Sequence, residues 1–232
     1  DRGAVSPADV AWALAAVHHH QPRPGLLSLE NTHMAAGGTA WSLDALRETV
    51  AVADAVGLPV HLDGARLFNA EVSTGTSAAA YCEAVTTVMC CLSKGLCAPV
   101  GSVLAGPADL IEEARLERSR LGGGMRQAGV IAAAGLVGLR TMVERLADDH
   151  RRARRLADAV ADRWPDGGCD PAAVETNIVT WTHADTDAVM RHLADHGVLV
   201  GTIAPWTLRI VTHNDVDDDG VEKAVAALAT AP

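Results

Sequence analysis

The stretch LPVHLD, residues 58–63, decides the fold. It is a short apolar run that follows a glycine and ends on a carboxylate, a pattern typical of a strand buried inside a sheet. Similar apolar runs occur at residues 26–29, 86–92 and 100–104. Helical patterns separate several of these runs, and strands that alternate with helices predict a mostly parallel α/β sheet flanked by helices.

Capping residues mark the starts of the first helices. Ser6, Pro7 and Asp9 predict a helix that reaches about residue 17, and Ser42 predicts a second helix that ends near Gly57. Further helical patterns of this part of the chain occur at residues 107–120 and 125–146.

The order of the elements changes after an Arg-rich helical pattern at residues 148–164, which ends at the Pro-Asp-Gly-Gly turn 165–168. The patterns that follow are strand, helix, strand, strand and helix, at residues 177–181, 185–196, 198–200, 208–211 and 217–229. This order is typical of a small α+β unit. We therefore predict a large α/β domain over residues 1–147 and a small C-terminal α+β domain over residues 148–232.

Composition and charge argue against several kinds of partner. The 232 residues carry 19 Lys and Arg against 29 Asp and Glu, a net charge of −10, so neither nucleic acid nor a membrane surface is expected as a partner. No apolar run reaches the roughly 18 residues of a membrane span. The five cysteines form no C-x-x-C pair. We therefore expect neither a disulfide framework nor a metal site, and a cytoplasmic location is favoured.

Polar residues at the carboxyl ends of the predicted strands are the candidates for chemistry, because ligands of open α/β sheets bind there. Asp63 follows one strand, Lys94 another, and Glu30 and Asn31 a third. A lysine and a carboxylate in these places suit a pyridoxal phosphate enzyme, which needs an amine for the Schiff base and an anion for the pyridine nitrogen. The alternatives are a surface lysine at a turn and a carboxylate that caps a helix. Lys223 is the other lysine of the chain.

Five blocks of sequence resemble the low-specificity L-threonine aldolase family: LLSLENTH (26–33), HLDGARLFNA (61–70), CLSKGLCAPVGSVLAG (91–106), LGGGMRQAG (121–129) and LRIVTHND (208–215). The resemblance extends over most of the chain. It implies fold type I, pyridoxal 5'-phosphate, and reversible cleavage of L-threonine or related β-hydroxy-α-amino acids to glycine and an aldehyde.

The resemblance also implies roles for residues around the cofactor. Lys94 resembles the Schiff-base lysine, with Ser93 beside it, and Asp63 the aspartate at the pyridine nitrogen. Arg66 resembles the arginine near the phenolic oxygen. Arg126 resembles an arginine that reaches the cofactor phosphate of a neighbouring subunit, which implies a homodimer or homotetramer with the active site at the interface.

Three further residues are candidates for substrate binding. Arg209 matches the family's clamp for the substrate carboxylate, since a guanidinium can donate two parallel hydrogen bonds. His20 is a candidate for the group near the substrate hydroxyl, although the run 18–20 could instead be cations at a helix end. His33 is a second candidate, more suited to ordering the site.

The chain departs from the family pattern in several places. Cys97 stands where glycine is usual, and Ser119 stands where lysine is usual, with Arg120 as a candidate to compensate. No counterpart of the family's leading phosphate loop is apparent in residues 1–25. We therefore expect the 232 residues by themselves to bind the cofactor weakly. β-Elimination or racemisation, and a non-catalytic fragment or subunit with the same fold, remain alternative functions.

Overall fold

The structure, a computed structural model, describes residues 2–15, 20 and 22–232. The chain divides into two compact units, one comprising Asp1–Thr32 and Trp41–Val143 and the other His33–Ala40 and Glu144–Pro232. The segment His33–Ala40 thus belongs to the second unit, whereas the sequence assigns it to the first domain. The boundary at residues 147 and 148, as a limit between separately folding domains, stays a prediction.

The first unit contains a four-stranded sheet of order β1-β2-β3-β4. Its strands are β1 (Leu27–Glu30), β2 (Val60–Asp63), β3 (Thr87–Cys91) and β4 (Ser102–Ala105). β1, β2 and β3 are parallel, and β4 is antiparallel to β3. The prediction of a mostly parallel α/β sheet is confirmed.

The described helices of the first unit are α1 (Pro7–Ala15), α2 (Leu43–Asp54), α3 (Leu67–Thr74), α4 (Ala78–Glu83), α5 (Ala108–Arg120) and α6 (Gly129–Thr141). The predicted caps are present: the Ser6 and Asp9 backbone N–H groups donate to each other's side chains, and Ser42 Oγ accepts from Ala45 N–H. The last part of the first predicted helix, to residue 17, lies outside the described residues. Among the described helices, none is both long and apolar enough to cross a membrane.

Three details of the first unit differ from the sequence-based expectations. α3 and α4 were not predicted, because the residue before α3, Arg66, makes no capping hydrogen bond with its side chain and α4 has only six residues. The helix predicted over residues 125–146 is wrong at both ends, since turns occupy residues 126–128 and 144–145. The predicted burial of the fourth strand is also wrong: all four residues of β4 are exposed, because it is an edge strand of the described sheet.

Large apolar side chains are exposed over much of residues 100–137 of the first unit. α5 has no buried residue, and α6 buries only Gly135 and Gly138. Exposed apolar side chains of this region include Val103, Leu104, Leu116, Leu121, Met125, Val130, Leu136 and Val137. We call this surface the apolar face. Exposed apolar surface of this extent is rare on soluble monomeric proteins.

The second unit contains a three-stranded antiparallel sheet of order β5-β7-β6, with β5 (Ile178–Thr182), β6 (Gly201–Ala204) and β7 (Thr207–Val211). Its described helices are α7 (Leu146–Arg163), α8 (Thr186–Asp195) and α9 (Asp218–Thr230). The strand predicted at residues 198–200 is wrong in position, because β6 begins at Gly201.

α7 carries its apolar residues on one side, which fixes its place in the second unit. Leu146, Ala153, Leu156 and Val160 are buried at helical spacing. The last three of these residues pack in one core with residues of β5, β7, α8 and α9. The fully buried Asp149 of the same helix forms an ion pair with Arg145, and its backbone oxygen accepts a hydrogen bond from Thr212 Oγ1 at 2.7 Å.

Burial of His150 on α7 predicts sensitivity of the fold to acid. Desolvation lowers the pKa of His150 from 6.5 to about 4, so below pH 6.5 the unfolded chain binds a proton that the folded chain excludes. Stability should therefore fall between pH 6.5 and pH 4, by up to about 3 kcal/mol from this group. We expect His150→Gln to reduce the pH dependence of urea unfolding across this range.

The matched control is His213→Gln, since His213 lies on an exposed segment after β7. This control should keep the pH dependence of the unaltered chain. Equal pH dependence of unfolding in the His150→Gln variant and the unaltered chain would contradict the assignment.

Candidate active site

Asp63 ends the second strand of the parallel sheet, between two neighbouring strands. It lies in register with Glu30 of β1 and Met89 of β3. Its Oδ1 accepts a hydrogen bond from Ala65 N–H at 3.0 Å, so part of its role is to order the local turn. Within the described residues Oδ2 has no hydrogen-bond partner, which leaves one carboxylate oxygen for a ligand.

Gly64 allows the chain to leave β2 close to β3. Its N–H donates to Met89 O at 2.9 Å, and a Cβ atom at this position would lie 2.7 Å from the same oxygen. Any side chain would therefore push the strand ends apart. Arg66, the next charged residue, is half-buried and immediately precedes α3.

Ser93 and Lys94 lie in a loop that follows β3, the strand next to Asp63. The loop closes through Leu92 N–H to Gly101 O and Ala98 N–H to Leu92 O, both at 2.9 Å. Leu92, Leu96 and Ala98 are buried in a small core under the loop, whereas the side chains of Ser93 and Lys94 are exposed. The loop thus presents the amine at the carboxyl edge of the sheet.

We call the loop of residues 92–101, which carries Lys94, the lysine loop. Two glycines of α6 let this helix pack directly on it. A Cβ on Gly135 would lie 2.8 Å from Leu92 Cδ1, and a Cβ on Gly138 would lie 2.5 Å from Leu96 O. Larger residues at these two positions would displace the loop, so the position of Lys94 depends on two residues far along the chain.

Asn31 and Thr32 form a buried polar pair at the carboxyl end of β1. The Asn31 N–H donates to Asp63 O at 2.8 Å, and Asn31 Oδ1 accepts from Trp41 N–H at 3.3 Å. Within the described residues, however, the buried Asn31 Nδ2 and Thr32 Oγ1 have no hydrogen-bond partner. Buried polar atoms of this kind usually have a partner, so these two point to a ligand or an ordered water. The sequence identifies Asn31 only by its place after a strand, and assigns it no role.

The remaining candidates of the first unit are exposed. Arg126 lies in the turn that precedes α6, and His20 lies between α1 and β1. Ser119 is exposed at the end of α5, and Arg120, the residue expected to compensate for it, forms an ion pair with Glu117. The neighbouring histidines at positions 18 and 19 lie outside the described residues.

His33 and Arg209 belong to the second unit. His33 Nδ1 accepts a hydrogen bond from Ala36 N–H at 3.2 Å, so this ring caps a short helical turn. Arg209 is half-buried in the central strand β7, in register with Thr180 and Gly201. Among the described residues no carboxylate pairs with Arg209, which leaves its guanidinium for an anion.

The described residues contain no cluster of three or more His, Cys, Asp or Glu that could hold a metal ion. Burial raises the pKa of the Cys82 and Cys90 thiols, which keeps both protonated at neutral pH.

Comparison with known proteins relates this chain to aldolases and lyases. The model of the beta-eliminating lyase family matches residues 1–186. Probable low-specificity L-threonine aldolase 2 of Arabidopsis thaliana is 41% identical over 208 residues, which cover 88% of this chain and 58% of that protein. Low specificity L-threonine aldolase of Escherichia coli strain K12 is 37% identical over 212 residues, 89% of this chain and 60% of that protein. The chain therefore spans less than two thirds of these relatives.

The solved structure of threonine aldolase from Leishmania major superposes on this chain with a TM-score of 0.77 at 18% identity. The match covers 98% of this chain and 67% of the other. Together with the carboxylate and the lysine at neighbouring strand ends, this places the chain in the class of type I pyridoxal phosphate folds. The chain belongs to the beta-eliminating lyase family, and its resemblance to low-specificity L-threonine aldolases is confirmed.

Cys97 stands where the family usually has glycine, and its backbone conformation allows the effect of this difference on stability to be tested. Its φ of 60° lies in the left-handed region, and its N–H donates to Lys94 O at 2.9 Å. A Cβ in this region costs roughly 1–2 kcal/mol, partly offset by the greater freedom of glycine in the unfolded chain. We expect Cys97→Gly to raise the free energy of unfolding by about 0.5–1 kcal/mol, measured in urea.

Cys97→Ala is the matched control because it removes the thiol but keeps the Cβ. It should leave stability nearly unchanged. An equal increase in the free energy of unfolding in both variants would assign the effect to the thiol, not to the backbone.

Proposed function

We propose that this chain is part of a pyridoxal phosphate-dependent carbon-carbon lyase that cleaves L-threonine or related β-hydroxy-α-amino acids to glycine and an aldehyde. The observation that carries the proposal is the pair Asp63 and Lys94, at the carboxyl ends of two adjacent parallel strands. The identity to L-threonine aldolases supports the choice of substrate.

The residues of the first unit fit the cofactor. Asp63 has a carboxylate oxygen for the pyridine nitrogen, and Lys94 supplies the exposed amine to which the cofactor attaches. The buried Asn31 Nδ2 and Thr32 Oγ1 offer further polar contacts beside Asp63. Arg66 fits the phenolic oxygen and Ser93 the phosphate, since a cation or a hydroxyl stabilises these anionic groups.

When it is bound, pyridoxal phosphate supplies the electron sink that makes the Cα–Cβ bond of the substrate cleavable. Asp63 would hold the ring nitrogen of the cofactor in its protonated form, and Arg209 would bind the substrate carboxylate. His20, or a water that it positions, takes the proton of the β-hydroxyl group as the bond breaks. His33 orders the segment 33–40, as its hydrogen bond to Ala36 N–H indicates.

We propose further that the enzyme is a homodimer or homotetramer with the active site at the subunit interface, in the cytoplasm. The apolar face supports association, because exposed apolar side chains lose contact with water when another subunit covers them. Arg126 is exposed in the turn before α6 and is the residue proposed to reach the phosphate of a neighbouring subunit. The five cysteines without a C-x-x-C pair support a reducing compartment.

β-Elimination is the second candidate function, and the description of the matching family favours it. It would use the same Lys94 and Asp63, but it needs no base for a hydroxyl group. The two candidates are separated by the products, since an aldolase forms glycine and an aldehyde from L-threonine, whereas elimination releases ammonia.

Lys94 and Lys223 provide a matched pair of variants for the central test. With added pyridoxal phosphate and borohydride, the unaltered chain should gain a covalent label on Lys94, located by peptide mass. Lys94→Ala should abolish the label and the visible absorbance of bound cofactor, since the other lysine lies on helix α9 and not at the carboxyl edge of the parallel sheet that carries Asp63.

Lys223→Ala should keep both the label and the absorbance. A label on Lys223 in either protein, or an undiminished label in the Lys94→Ala variant, would contradict the assignment of the cofactor lysine.

Asp63→Asn tests the electronic role of the carboxylate. An amide cannot hold the ring nitrogen protonated, so turnover of L-threonine should fall by about two orders of magnitude or more, whereas cofactor binding should persist because the side chain keeps its shape. Stopped-flow turnover and equilibrium dialysis of the cofactor measure the two quantities separately. Turnover at the level of the unaltered chain would show that Asp63 serves only the local turn.

A further inference from the structure

A cavity of the second unit lies at the end of α7, and none of the proposed active-site residues lines it. Its volume is about 550 Å³, within the range of about 300–1,000 Å³ typical of small-molecule sites. The residues that line it include Arg163, Trp164, Asp166, His183 and Trp206. Such a concentration is unusual in this chain, because only 3% of its residues are aromatic. We call this cavity the tryptophan cleft.

Trp206 is held in a backbone conformation that costs energy. Its φ is 61°, in the left-handed region, where a bulky residue is a genuine outlier. It lies in the turn between β6 and β7, and its carbonyl oxygen accepts a hydrogen bond from His183 N–H at 2.9 Å. The side chain remains 66% exposed, so its burial in this chain does not offset the strain. Strain of this kind recurs at binding sites, where a ligand gains from the fixed side chain.

Trp164 is fixed from several directions. Its ring stacks on the buried Trp181 with centroids 5.5 Å apart and an angle of 17°, and it meets the His183 ring edge-on at 5.6 Å. Its Nε1 donates to Pro232 O at 3.0 Å. Gly167 keeps the space beside it open, since a Cβ there would lie 3.0 Å from Trp164 O. The cleft thus has one rigid aromatic wall and one exposed indole, an arrangement that requires little ordering when a ligand binds.

Charges of both signs accompany the two indoles. Arg163 Nε and Nη2 donate to Ala231 O, which uses two of the five N–H hydrogens of the guanidinium. In the described part of the chain no carboxylate pairs with Arg163. The side chain of Asp166 is exposed, and no cation pairs with it among the described residues. The cleft can therefore take an anionic group and a cationic group from one ligand.

We propose that the tryptophan cleft is a binding site for a zwitterionic aromatic α-amino acid. The aromatic ring packs on the exposed Trp206, the carboxylate binds Arg163, whose guanidinium lies over the Trp164 ring at 5.6 Å, and the ammonium group binds Asp166. Each part of the ligand matches a group that lines the cleft, and the proposal does not depend on the activity of the first unit.

L-Phenylalanine is the probe, and the indole N–H signals of the tryptophans, followed by NMR on the full chain, are the measurement. The signals of Trp206 and Trp164 should shift with a saturable one-site dependence, whereas those of Trp12 and Trp41, both in the first unit, should not. The Trp41 indole Nε1 donates to Glu30 O at 3.1 Å, so a shift of its signal would place the ligand at the sheet edge and overturn the proposal.

Two variants test the assigned contacts. Trp206→Gly removes the indole and relieves the left-handed strain, so the fold should persist while the affinity for L-phenylalanine falls about ten-fold or more. Asp166→Asn should weaken the binding of L-phenylalanine. It should leave the binding of 3-phenylpropionate, which lacks the ammonium group, unchanged. The exposed Trp12→Ala is the control and should bind as the unaltered chain does.

The analogues decide between the proposed ligand and a merely apolar surface. L-Leucine, 3-phenylpropionate and phenethylamine should each bind more weakly than L-phenylalanine, since each lacks one of the three groups. Equal binding of any of them, no shift at millimolar L-phenylalanine, or undiminished binding by the Trp206→Gly variant would overturn the proposal.

Discussion

Parallel pairing of β2 between β1 and β3 is the constraint on which the candidate site depends. In a parallel sheet the carboxyl ends of neighbouring strands meet at one edge, and here the register aligns Glu30, Asp63 and Met89. The bond from Asn31 N–H to Asp63 O continues this pairing one residue beyond β1. A shift by one residue would turn Asp63 to the opposite face of the sheet, so the same register serves both folding and chemistry.

The lysine loop shows how packing completes what pairing begins. A loop after a strand is normally free to vary, but this one is tied to α6 by the contacts at Gly135 and Gly138 and by the buried Leu92 and Leu96. Cys97, with its left-handed φ, lies in the same short loop. The loop therefore holds a non-glycine residue in a backbone conformation that disfavours a Cβ atom. Strain is tolerated where neighbouring contacts hold the backbone in place.

The sequence predicts the strands of the first unit well, because their apolar runs are short and bounded by turn residues. The sequence does not predict features that depend on tertiary contacts. The exposure of β4 depends on which strands pair with it, and the start of α3 carries no capping side chain that the sequence could reveal. The sequence likewise predicts Asp63 and Lys94 by their places after strands. It cannot reveal that the buried Asn31 Nδ2 lacks a hydrogen-bond partner among the described residues, because this is a property of the folded structure.

Arg209 illustrates the same limit among the charged residues. The sequence of the second unit is rich in arginine, and by composition alone these residues are equivalent. In the structure Arg145 pairs with Asp149, Arg152 with Asp218 and Arg155 with Glu222, so these side chains serve the packing of α7. Of these pairs only Arg155–Glu222 has both side chains exposed, and an exposed pair contributes little to stability. Arg209 is different because it is half-buried on the central strand and, within the described residues, has no carboxylate partner. A guanidinium in that position loses part of its hydration without gaining a counter-charge from the described residues, which leaves it available to an anion.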